Sequence, residues 1–142
     1  MIEIFLDDVE VPGLDSELFI LWLQSVIVAE DFVCGDVNLI FVSDEKLLEL
    51  NVQFLGHDYY TDIVTFDNSI DTIINGELYI SIDRVIDNAN TLNEEYNNEL
   101  KRVCVHGVLH LCGYNDKTEE ESLEMRVKEG FYLNSYVSRE TR

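Results

Sequence analysis

Positive charge is what this chain has least of: nine lysines and arginines stand against 29 aspartates and glutamates in 142 residues, a formal net charge of −20. A surface of that sign repels bulk polyanions, so any contact with nucleic acid is confined to a local cationic mouth. Lys101, Arg102 and Lys117, with Arg126 and Lys128 further on, could build such a mouth; the alternative is that they are solvated helix residues. Long apolar runs are also missing. No window approaches a membrane span, and the start, Met1-Ile2-Glu3-Ile4-Phe5-Leu6-Asp7-Asp8, lacks the basic residues and apolar stretch of a signal peptide, so a cytoplasmic protein is expected. Three cysteines at unrelated spacings, Cys34, Cys104 and Cys112, make no disulfide framework, and Cys104 and Cys112 read as small buried residues rather than ligands. With no internal repeat and no low-complexity linker, one domain over 1–142 is expected, long enough for its own core.

What is present is an alternation of short strands and amphipathic helices. Ile2, Ile4 and Leu6 suggest a first strand, closed by Asp7-Asp8 and the turn at Pro12-Gly13. A helix follows, capped by Asp15 or Ser16, with Leu18, Leu21, Trp22, Ser25, Val26 and Ala29 as its apolar face. Val37 to Val42 is apolar on both faces, as a central strand would be. Ser43-Asp44 caps a helix through Leu47, Leu48 and Leu50, and a strand is expected over Ile63 to Phe66. Ile70, Ile73 and Ile74 suggest one turn in a polar loop, and Gly76 to Ile82 a strand antiparallel to its predecessor, because the connection is too short for a helical crossover. Helices are expected from Asp83, from Asn93-Glu94-Glu95 past His110, and from Thr118, the last with Leu123, Met125, Val127, Phe131 and Tyr132 inward. The fold class is α+β: a mixed sheet of about four strands packed with helices, the histidine-bearing helix lining a cleft.

The chemistry concentrates at His106-Gly107-Val108-Leu109-His110-Leu111-Cys112-Gly113-Tyr114-Asn115-Asp116. Histidines four apart on a helix project from one face, and Gly113 can end that helix and turn the chain back. Neutral imidazoles are good zinc ligands, and Asp116 can supply the third, leaving one position open as catalytic sites do. The pattern runs close to that of zinc peptidases, in which a glutamate follows the first histidine and acts as general base. Here that position is Gly107, which disfavours peptide hydrolysis.

HGVLHLCGYND resembles the H-G-x-L-H-L-x-G-Y-D-H mark of the YbeY family of rRNA maturation factors, matching at His106, Gly107, Leu109, His110, Leu111, Gly113 and Tyr114. A second stretch, LNVQFLGHDYYTDIVTF, is similar to the family's L-N-x-x-Y-R-G-x-D-x-x-T-D-V-L-S-F at Leu50, Asn51, Gly56, Asp58, Thr61, Asp62 and Phe66. Gly76 to Ser81 and Met125-Arg126 extend the likeness, so it spans about Leu50 to Arg126. Two departures fall at chemical positions. Asn115-Asp116 stands for Asp-His, so the third ligand becomes a carboxylate, which lowers the charge of the centre and makes its water less acidic. Leu55 stands for an arginine that could steady a phosphate.

The resemblance implies a metal-dependent single-strand endoribonuclease acting in 16S rRNA 3′-end maturation and ribosome quality control. One zinc ion per chain, on His106, His110 and Asp116, would activate water or polarise the phosphate, with rRNA and small-subunit components as partners and no organic cofactor. No side-chain general base can be named. His57, beside the lost arginine, is a candidate phosphate contact or an ordinary loop histidine, and Asp62 reads as a residue fixing a strand start rather than as a base. A different class, a metal-stabilised ribosome-assembly or RNA-binding factor with structural zinc, follows if Asp116 and Leu55 have weakened the chemistry.

Overall fold

A computed structural model describes residues 1–136, so the last six residues of the domain expected over 1–142 lie outside the described residues. Its centre is a four-stranded sheet ordered β1-β2-β4-β3, where β1 is Ile2–Leu6, β2 Val33–Val42, β3 Ile63–Asp67 and β4 Ile73–Ser81. β1, β2 and β4 are parallel, and β3 pairs antiparallel with β4 from Ile63 opposite Ile80 to Asp67 opposite Gly76. The expected α+β class, with a mixed sheet and an antiparallel β3–β4 pair, is observed.

Among the described residues five α-helices pack with the sheet: α1 Ser16–Ala29, α2 Asp44–Leu50, α3 Ile82–Thr91, α4 Tyr96–Leu111 and α5 Glu119–Ser135. A π-helical turn, Asn51–Leu55, continues α2 and stops at Gly56, whose φ of +68° is the left-handed conformation a Cβ disfavours. Side chains alternate across a strand, and β2 shows why it is central. Val37, Leu39 and Phe41 enter the main core under α1 and α4, while Val42 joins Leu47 and Val64 in a smaller cluster that also engages Ile40, Leu50, Phe66 and Tyr79.

Helix phase corrects two expectations. In α1 the buried stripe is Phe19, Trp22, Leu23, Val26 and Ile27; Trp22 is core as expected, but Leu21 points outward, on the side of the helix away from that stripe. In α5 the capping box of Thr118 and Glu121 forms as read, and the inward stripe is Met125, Glu129 and Tyr132. Leu123, Val127 and Phe131, spaced four apart on another face, are exposed. The expected turn forms at Asp71-Thr72, closed by paired backbone hydrogen bonds between Ile70 and Ile73, but β4 begins at Ile73 rather than Gly76, because Ile73 and Ile74 go on to pair with Val33 and Cys34 of β2. Among the described residues no helix is long and apolar enough to cross a membrane.

Candidate metal centre

Gly107 sets the position of α4. A Cβ there would lie 2.5 Å from Ile63 Cδ1 of β3 and 3.1 Å from both δ carbons of Leu78 of β4, so the helix backbone lies against the sheet where glycine permits it. Position 107 therefore faces the apolar interior, and a glutamate there would be driven into Ile63 and Leu78 rather than toward His106. With Val103, Cys104, Val105, Val108, Leu109 and Leu111 buried, His106 and His110 emerge half-buried on the remaining stripe of the helix. Gly113, at φ +100°, ends α4 as expected: its N–H bonds His110 O at 3.0 Å and the Tyr114 N–H bonds Leu109 O at 3.1 Å, turning the chain back.

That turn delivers Asp116 to the histidines. His106 Nε2 and His110 Nε2 are 3.0 Å apart, and Asp116 Oδ2 lies 3.2 Å from the first and 3.4 Å from the second. The far nitrogens are engaged. His110 Nδ1 lies 2.9 Å from the carbonyl oxygen of Tyr114, which can only accept, and His106 Nδ1 lies 2.6 Å from Oε2 of buried Glu129. With an oxygen acceptor against each Nδ1, both rings can hold a proton there and turn Nε2, Nε2 and Oδ2 toward one point as electron-pair donors. These three residues form a group that could hold a metal ion.

A carboxylate hub supports the turn. Tyr114 Oη donates to Glu30 Oε1 at 2.6 Å, while Tyr132 Oη and Lys128 Nζ donate to Glu30 Oε2. Burial pushes the Glu30 carboxyl up, but those three hydrogen bonds and the Lys128 charge outweigh it and hold it below the ordinary range. Tyr114 is thus fixed by its ring at Glu30 and by its carbonyl at His110.

A cleft of about 450 Å³ opens beside the histidines, lined among others by Arg102, His106, Asp116, Ser122, Arg126 and Glu129. The cationic mouth is smaller than its sequence suggests. Arg102 is consumed by carboxylates: Glu99 at 2.7 and 2.8 Å, Glu129 at 3.4 Å and Asp62 at 3.7 Å. Lys128 is paired with Glu30, and Lys101 lies over the Tyr136 ring. Among the described residues Arg126 makes no ion pair, and it is the cation the cleft retains. His57 and Leu55 do not line this cleft; His57 stacks on Tyr59 with centroids 4.9 Å apart, and Leu55 is exposed at the end of the π-helical turn. Asp62 fixes a strand start, accepting from Ser81 N at 3.0 Å through its carbonyl and from Asn88 Nδ2 at 3.2 Å through its carboxylate.

Sequence reading passed over Glu30, Glu99 and Glu129. A signal was available for two of them: Glu99 and Glu129 occupy positions in phase with the buried stripes of α4 and α5, where a charged residue needs a partner.

Fold and site together define a small α+β protein with a His-His-Asp centre at the C-terminal end of a helix buried on a mixed sheet. The sequence model of the family described as Endoribonuclease YbeY matches residues 12–137, and the chain belongs to that family. It is 48% identical over 108 residues to "Endoribonuclease YbeY" of Christiangramia forsetii, covering 76% of each chain. It is 51% identical over 114 residues to the protein of the same name from Cytophaga hutchinsonii, covering 80% of each. The solution structure of TM1509 from Thermotoga maritima superposes with a TM-score of 0.67 at 34% identity, over 96% of this chain and 89% of that one.

Proposed function

We propose that this protein is a single-strand endoribonuclease whose catalytic metal is one zinc ion held by His106, His110 and Asp116. The observation that carries the reading is the convergence of three electron-pair donors, each within 4.8 Å of the others, in a half-exposed position beside a cleft. Zinc, when bound, supplies Lewis acidity toward water and a phosphodiester oxygen, and imidazole and carboxylate donors suit it. The chain's own residues do the rest. Arg126, without an ion-pair partner among the described residues, offers its guanidinium in the cleft for a phosphate, the task for which Leu55 is unsuited. The acidic exterior, at a net charge of −20, limits productive approach of RNA to this mouth. The names of the relatives support RNA cleavage, and the family resemblance extends it to 16S rRNA 3′-end maturation and ribosome quality control in the cytoplasm, within a single domain. His57, stacked on Tyr59 away from the cleft, is at most a peripheral RNA contact.

Metal content by mass spectrometry on protein purified without added metal tests the centre. About one zinc per chain in the wild type, reduced in His110→Ala and Asp116→Ala, supports it; no transition metal in any of the three sinks it. Cleavage of a single-stranded RNA by the zinc-loaded wild type, with a raised KM in Arg126→Ala, then tests the activity. The second reading, a zinc-stabilised RNA-binding factor with little catalysis, draws on Leu55 and Asp116 at positions where the family mark has arginine and histidine. It gains if zinc is bound and RNA is retained uncut.

A further inference from the structure

The Nδ1 atoms of the two histidines of the centre face different acceptors. His110 uses the main-chain carbonyl of Tyr114, which no side-chain substitution removes. His106 depends on Glu129 of α5, a side chain only 4% exposed. Each oxygen of that carboxylate has its own donor: Oε2 accepts from His106 Nδ1 at 2.6 Å, and Oε1 accepts from Arg102 Nη1 at 3.4 Å. Arg102 is itself fixed, its Nε and Nη2 gripping the two oxygens of Glu99 at 2.8 and 2.7 Å, and Glu99 is 1% exposed. A line of contacts thus runs Glu99, Arg102, Glu129, His106, with its far end anchored in the core.

We propose that Glu129 is a positioning residue: by bridging Arg102 and His106 it keeps the His106 proton on Nδ1 and the Nε2 lone pair turned toward the metal position beside His110 and Asp116. This rests on the reading of those three residues as metal ligands. Only a carboxylate can do it. A guanidinium has donors and no acceptor, so any group beneath it must offer oxygen. Glutamine has one oxygen, which Arg102 claims, leaving the NH₂ to face His106 Nδ1. The ring then accepts at Nδ1 and carries its proton on Nε2, where the metal should bind. Glu129→Gln therefore preserves shape and volume while changing the tautomer of one ligand.

The test uses the full chain labelled with ¹⁵N-histidine, of which there are three residues, His57, His106 and His110. Two-bond ¹H–¹⁵N correlations on the metal-free protein at about pH 8, above the ordinary imidazole range, report which ring nitrogen carries the proton. Wild-type His106 is expected as the Nδ1–H form and Glu129→Gln as the Nε2–H form, with His57 unchanged in both. Zinc affinity by chelator competition is expected to fall about 10–100-fold in Glu129→Gln, with the metal-free far-ultraviolet spectrum retained. An Nε2–H tautomer in the wild type overturns the assignment without need of the variant, should the variant fail to fold. Wild type that binds zinc while folded Glu129→Gln binds within two-fold of it overturns the assignment and leaves the metal centre standing. Wild type that takes up no zinc overturns the metal centre, and the assignment with it.

Discussion

Replacing Arg102 by methionine removes the cation from two buried carboxylates at once. Glu99, 1% exposed, loses both hydrogen bonds from Arg102, at 2.7 and 2.8 Å, and Glu129, 4% exposed, keeps His106. Breaking a buried ion pair by deleting one member costs about 3–5 kcal/mol, because the surviving charge stays desolvated. Arg102 itself is 31% exposed, so water reaches part of the vacated space and the lower end of that range, about 3 kcal/mol, is expected at pH 7. For a chain of this size that corresponds to a fall in Tm of roughly 10 °C. The assay is urea unfolding of the metal-free protein followed by circular dichroism, so that zinc linkage does not enter. A second variant separates mechanism from simple damage: Glu99→Leu in the Arg102→Met background removes the stranded charge along with its lost partner and should be more stable than Arg102→Met alone. Arg102→Met within about 0.5 kcal/mol of wild type, a range ordinary for surface substitutions, would refute the buried network. So would a double variant that merely sums the two losses.

Glu30 should make stability depend on pH. Its folded carboxyl lies below the ordinary 4.5, so its contribution is complete above that value and is lost as pH falls through the folded one. Glu30→Gln is expected to cost about 2–3 kcal/mol at pH 7, from charged hydrogen bonds made neutral, with the gap to wild type closing in acid; thermal melts at pH 7 and pH 3 showing one constant gap would contradict this. The cysteines should separate by reactivity. Burial first, and then the Glu30 charge, push the Cys112 thiol up to about 12, and burial pushes Cys104 up as well, so iodoacetamide at pH 8 should modify Cys34 alone in the native protein. Peptide mapping that finds Cys104 or Cys112 alkylated before denaturant is added would show the core to be more open than described.

Much of this protein is legible in its residues because the relevant interactions are local. The spacing of His106 and His110, the helix stop at Gly113 and the capping box at Thr118 and Glu121 each act within about a turn of helix, so the chain order contains them. The double-faced apolar run of β2 likewise announces a central strand. Phase and partnership were decided elsewhere. Leu21, Leu123, Val127 and Phe131 are as apolar as their buried neighbours, and only the placement of α1 and α5 on the other elements turns them to solvent. Arg102 reads as part of a cationic mouth until Glu99, Glu129 and Asp62, from α4, α5 and the start of β3, close around it. The proposed metal ligands lie within eleven consecutive residues and so could be read directly. The residue holding the His106 proton comes from a different helix, 23 positions on. Which carboxylate meets which nitrogen depends on how two helices pack, and that is a property of the tertiary structure alone.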